Sequence, residues 1–287
     1  MKKLEERIQQ AQSAGLEELR KIIRDPSSQV ILHATQNRNL EEDMAVFLAK
    51  RKTTPPEALA FLASDSRFKD SYTLKLAICR NPKSPQKVTL GLLKFIRLFD
   101  LSDMTKDQHI PVTIRQKIEH DISQKISSLP SGVKIALARR ANITIIMMLM
   151  EKSDDMVVDA CLESPLLTEG HLYKIINKGT TKPHVLRMIA KHPKWSLRYA
   201  VKYALVRNSY TPMEQVLRFI SDMKTNDLRD LHEDPKLPSS SRPFVYRELL
   251  ERNETVEPPK DQIFKLSEED DAQFTEDFLD AQSNDEC

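Results

Sequence analysis

Apolar residues recur three and four positions apart along most of the chain. In EALAFLA (57–63) they are Ala58, Leu59, Phe61, Leu62 and Ala63; in LRYAVKYAL (197–205) they are Leu197, Ala200, Val201, Ala204 and Leu205. That spacing puts one apolar stripe on a helix, and the stripe must be covered by something. Short turn signals interrupt the pattern at DPSS (25), NRNL (37), TPPE (54), SDSR (64) and NPKSP (81). They return at KSDD (152), SPLL (164), TKPH (181), HPKW (192) and NSYTP (208). Proline costs little at a helix start, where the first amides have no intrahelical partner, and Ser, Thr, Asp or Asn beside it can cap those amides. The pattern predicts pairs of short helices.

Shifted by 127 residues, the chain overlays itself. TTPPEALAFLASDSRFKDSYTLKLAICRNPKSP (53–85) falls without a gap on TTKPHVLRMIAKHPKWSLRYAVKYALVRNSYTP (180–212). Tyr72, Lys75, Ala77, Arg80, Asn81 and Pro85 recur as Tyr199, Lys202, Ala204, Arg207, Asn208 and Pro212, and Phe68 becomes Trp195. A tandem duplication is the natural reading. A helix pair cannot bury its apolar face alone, so neighbouring pairs must stack. The expected fold is all-α, a solenoid of stacked short helix pairs. Residues 1–29 would be capping helices, 30–126 a first half, 127–156 linking helices, 157–253 the second half and 254–287 a tail.

Three short motifs, D-P-x-x-x-V at Asp25 to Val30, N-P-x-S/T-P at Asn81 to Pro85 and its relaxed copy Asn208 to Pro212, carry a family resemblance. The chain resembles bacterial HEAT-like repeats, specifically the leucine-rich repeat variant family. The resemblance implies a HEAT-like superhelix whose concave face binds a partner. Some members of that family carry an amino-terminal cysteine cluster for iron and sulfur. This chain has no cysteine before Cys79, so no cofactor is expected.

Composition adds three points. The chain has only 5 Gly against 16 Pro, which disfavours sheet folds and phosphate-loop enzymes that need glycine at tight turns. Its net charge of +2 hides an asymmetry: Glu254 to Cys287 hold twelve acids against Lys260 and Lys265, leaving 42 cations and 30 acids in residues 1–253. That tail, with EPPK, SEEDD and SNDEC, is poor in core-forming residues and expected to be disordered. Phe274 and Phe278 stand four apart within it. The tail could fold back on the basic body and compete with an acidic partner, dock elsewhere, or only solubilise the chain. MKKLEERIQQ lacks the apolar core of a signal peptide, and the longest apolar run, ITIIMMLM (143–150), is too short to span a bilayer. Cys79, Cys161 and Cys287 show no metal or disulfide spacing, which suits a cytoplasmic monomer with Cys79 and Cys161 as small buried residues.

Catalytic signatures are absent: GxGxxG, HExxH, CxxC and GxSxG do not occur. The seven histidines never fall at metal-ligand spacing. Met147, Met148 and Met150 read as core filler rather than an adaptable groove. Asp100 and Asp103, repeated as Asp227 and Asp230, could bind a cation or act as acid and base, but helix capping or pairing with a repeated cation is the plainer reading. Arg80 and Arg207 suit helix ends, and Asn81 and Asn208 a left-handed closing turn. Arg198, Tyr203 and Tyr210 belong to the second copy alone. With Lys75, Arg139, Arg140, Trp195 and Lys202 they form the candidate binding surface, Arg198 and Lys202 being four apart and expected on one outward face. The sequence favours a non-enzymatic scaffold for an unknown protein partner, with no membrane. A nucleic-acid-binding solenoid is the alternative. A HEAT-like DNA glycosylase ranks third, because the aromatic and Asp constellation that holds an extruded base is not evident.

Overall fold

The apolar stripes become helices at the predicted turns. In the computed structural model, which describes residues 3–258, no strand occurs among those residues. The helices are α1 (Leu4–Ser13), α2 (Leu16–Ile22), α3 (Ser28–Thr35), α4 (Glu42–Lys50), α5 (Pro56–Ser64), α6 (Tyr72–Arg80), α7 (Gln86–Leu92), α8 (Leu98–Met104) and α9 (Val112–Lys125). They continue with α10 (Ser131–Arg140), α11 (Ile143–Lys152), α12 (Asp155–Leu162), α13 (Glu169–Ile176), α14 (Pro183–Lys191), α15 (Tyr199–Val206), α16 (Met213–Ser221), α17 (Thr225–Glu233) and α18 (Arg242–Glu251). Helices α3 to α6 start at Ser28, Glu42, Pro56 and Tyr72; α12 to α15 start 127 residues later at Asp155, Glu169, Pro183 and Tyr199.

The starts have local causes. Pro55, Pro85, Pro111, Pro130 and Pro212 sit at the N-cap with φ between −52° and −68° and extended ψ. Elsewhere side chains cap: Ser71 Oγ accepts from the Leu74 amide at 3.1 Å, and Asn142 Oδ1 from Ile145 at 3.0 Å.

The described residues divide into two compact units, one ending at Leu167 and one starting at Thr168. In the first unit many helices pack on the next but one as well as on their neighbours. Helices α1, α3 and α5 follow one another, as do α7, α9 and α11, while α4 packs on α6 and α8, α10 and α12 form a run. In the second unit α13 packs on α15 and α16 on α18, with α15 also touching α14 and α16. The buried positions recur with the offset: Leu59, Leu62, Leu74, Ala77 and Ile78 in one unit, Leu186, Ile189, Val201, Ala204 and Leu205 in the other. Each such Leu, Ile or Val contributes about 1.5–3 kcal/mol by leaving water. Ala77 and Ala204 lie in the core, where a larger side chain would overpack it.

The contact boundary at 167 lies ten residues past the start of the second sequence copy, because α12 packs on α10 and α11. Helices α10 and α11 are not mere linkers: α10 packs on α8 and α11 on α9 within the first unit. The tail expected from 254 begins later, since Glu254 accepts from Arg229 Nη2 at 2.6 Å and the Glu257 carbonyl lies 2.8 Å from His232 Nε2. The rest of the tail, from 259, lies outside the described residues. Of the ITIIMMLM run, Ile145, Ile146, Leu149 and Met150 are fully buried, whereas Met147 and Met148, read as core filler, are only half-buried.

Candidate functional site

The polar residues that recur at the 127-residue offset build a frame. Tyr72 opens α6, donates its phenolic hydrogen to Asp100 Oδ2 and accepts from the Arg97 amide at 3.2 Å. Tyr199 opens α15, donates to Asp227 Oδ2 and accepts from the Lys224 amide at 3.1 Å. A cation lies over each ring, Arg97 at 4.6 Å and Lys224 at 5.7 Å. Burial first, and then the adjacent carboxylate, lift both phenols above their ordinary 10.0. This is the work of the recurring FDLSD and NDLRD stretches. Asp103 instead meets Lys106 at 2.9 Å and Arg140 at 2.8 Å; burial acts to raise its pKa, and those two cations hold it below 3.8. In the first unit the two carboxylates thus serve separate partners.

Asn81 and Asn208 are a correction. Neither is left-handed; Asn81 has φ −78° and ψ 123°, and the only positive φ among described non-glycine residues belongs to Asn253, just past α18. Each instead closes a turn with its oxygen and reaches back with its nitrogen. Asn81 Oδ1 accepts from the Lys83 amide at 2.9 Å while Nδ2 donates to the carbonyls of Ala49 (2.7 Å) and Arg51 (3.0 Å) at the end of α4. Asn208 repeats this with the Tyr210 amide at 3.0 Å and the Ile176 carbonyl at 2.6 Å. An Asn is needed because one side chain must accept and donate at once.

Beside Asn81 the first unit opens a groove of about 440 Å³. Ala49, Leu76, Ala77 and Pro82 supply its apolar lining and Lys50, Lys52 and Arg80 its cations, with His109 beside them. The only carboxylate in the lining is Asp107. It accepts from the His109 amide at 2.9 Å, which with Lys52's charge keeps it below 3.8. Arg80 reaches away to Asp100 at 3.4 Å. The matching positions of the second unit are built differently. Tyr203 stands where Leu76 does, with Arg207 at 5.8 Å from its ring centre, and Arg207 meets Asp234, the counterpart of Asp107, at 2.5 Å.

The sequence-derived surface separates into frame and exterior. Trp195 is only 2% exposed and packs where Phe68 does, so it is core and not a binding surface. Lys75 lies over the Phe95 ring at 4.7 Å; Lys202 meets Asp222, the residue at Phe95's place, at 2.7 Å. Both lysines belong to the frame. Arg198 and Lys202 do not share an outward face, because Arg198 is the extended residue before α15 and Lys202's side chain is 12% exposed. Ser71 in the first copy donates to Glu42 at 2.6 Å; Arg198 at the same place faces Glu169, Glu42's counterpart, at 3.6 Å. Arg140 is tied to Asp103, while Arg139 and Tyr210 are exposed, Tyr210 at 57%. Lys75, Arg139 and Arg140 lie in the first unit and the others in the second.

His109 was not singled out by the sequence, since a lone histidine in a turn carries no motif; Leu76 could be found only by setting it against Tyr203. The Lys50, Arg51, Lys52 run splits: Arg51 turns inward to the carbonyls of Ile23 (2.9 Å) and Asp25 (2.8 Å). Cys79 and Cys161 are buried and free, and burial pushes both thiols up to about 12. Among the described residues no group of three or more His, Cys, Asp or Glu could hold a metal ion, and no helix is long and apolar enough to cross a membrane. No protein-family model, curated protein or solved structure matches the chain.

Proposed function

We propose that the chain is a non-enzymatic protein-binding scaffold of the α-solenoid kind, related to the HEAT-like repeats it resembles and working in the cytoplasm. The observation that carries this reading is the groove of the first unit. It is an open, apolar-floored and cation-rimmed cleft whose walls are helix ends held by Asn81, with the frame carboxylates already engaged. Packing of many helices on the next but one supports the solenoid, and two buried free thiols suit a reducing compartment.

Two of the basic side chains that suggested a polyanion surface are occupied: Lys202 by Asp222 and Arg140 by Asp103. Trp195, the natural stacking platform for a base, is buried. The test has two arms on the full chain: isolation of a stoichiometric protein partner, and binding to single- and double-stranded DNA and RNA at two salt concentrations. A defined partner with weak, non-saturable nucleic-acid binding is the expected result. Tight, salt-sensitive nucleic-acid binding with no protein partner would replace the reading with the polyanion one.

A further inference from the structure

Resting on the scaffold reading, we infer that the groove between α4 and α6 docks an acidic peptide segment that inserts an aromatic or aliphatic side chain as its anchor. The floor is apolar, formed by Ala49, Leu76 and Ala77, and its volume of about 440 Å³ suits one or two side chains rather than a folded surface. Arg80 leans to Asp100 and His109 lies against Asp107, which leaves Lys50 and Lys52 as the rim's unpaired charges among the described residues, so the complementary ligand is negative. Helix C-termini ordinarily oppose an anion. Here Asn81 Nδ2 takes up the Ala49 and Arg51 carbonyls, which leaves the cations to dominate. A nucleic-acid strand is disfavoured because the lining holds no Phe, Tyr or Trp on which a base could stack.

At the matching positions of the second unit the side chains differ: Tyr203 replaces Leu76, Arg207 pairs with Asp234 at 2.5 Å, and Asn177 and Gly179 stand in place of Lys50 and Lys52. Leu76→Tyr therefore installs a side chain that the same frame already accommodates 127 residues on.

The probe is a fluorescein-labelled peptide SEEDDAQFTEDFLDAQ, the sequence of residues 267–282, which combines acids with Phe274, Phe278 and Leu279. It is titrated into the full chain, and into a full chain whose seven acids between 268 and 280 are changed to amides so that its own copy of the sequence cannot compete. Saturable binding to at least one of these is expected. It should weaken at least tenfold in Leu76→Tyr and in Lys50→Glu with Lys52→Glu, and with a peptide whose Phe274 and Phe278 are Ser. Circular dichroism confirms that the variants fold. No binding to either chain, binding indifferent to Leu76→Tyr, or single-stranded nucleic acid occupying the groove in the peptide's stead would each overturn the inference. A protein partner whose binding survives Leu76→Tyr would sink the groove while leaving the scaffold reading intact.

Discussion

Tyr72 donates its phenolic hydrogen to Asp100 across twenty-eight positions of chain, tying the first residue of α6 to the first turn of α8. The same clasp recurs between Tyr199 and Asp227 in the other unit. Replacing Tyr72 with Phe leaves the Arg97 amide and Asp100 without the phenol. The expected cost is about 1–2 kcal/mol, read as a lowered denaturant midpoint with an unchanged slope.

The clasps also set a pH dependence. Both folded phenol pKa values lie above the unfolded value of 10.0, so their contribution is complete below that pH and is lost as pH rises through the folded values. Thermal melts should fall more steeply above about pH 10 for the native chain than for Tyr72→Phe with Tyr199→Phe. Equal slopes would show that the clasps do not hold in solution.

Asn81 serves an amide and two carbonyls at once, so Asn81→Ala orphans three backbone groups. A loss of about 2–3 kcal/mol is expected, larger than for an average surface substitution. Asn81→Asp keeps the turn but turns a carboxylate toward two carbonyls, and should be no better. Recovery of stability in the Asp variant would contradict the donor role.

Arg198 occupies the N-cap that Ser71 fills with a hydroxyl in the first copy. Arg198→Ser should therefore stabilise the protein by about 0.5–1 kcal/mol, seen as a raised melting temperature. An unchanged or lowered melting temperature would mean that the 3.6 Å pair with Glu169 outweighs the missing cap.

Burial makes two further outcomes checkable. Trp195 emission should be blue-shifted and resist iodide quenching, and Trp195→Phe should leave ligand affinity unchanged. Cys79 and Cys161 should escape iodoacetamide at pH 8 until the chain unfolds, as peptide mass spectrometry would show, because burial holds both as thiols.

The spacing of Leu59, Leu62, Leu186 and Ile189 was enough to place helices and their buried faces, because a 3.6-residue period leaves one covered side whatever covers it. The turn prolines and the 127-residue offset placed the helix starts for the same reason: caps and periodicity are local. Asn81 was visible as a turn residue, yet its role was misread. A left-handed cap and a side chain reaching back to α4 favour the same residue type, and only the distance to the Ala49 carbonyl separates them. Trp195 and Lys202 looked like a surface because composition does not say which way a side chain points. Fold class and frame thus follow from local patterns, whereas the groove depended on tertiary structure. It exists where Leu76 is short, Arg80 leans toward Asp100 and Asp107 is held by His109, whereas Tyr203 and an Arg207–Asp234 ion pair occupy positions that look equivalent in the sequence. Whether an open surface remains is fixed by side-chain volume and by which ion pair forms across the gap, and both are decided by residues far apart in the chain.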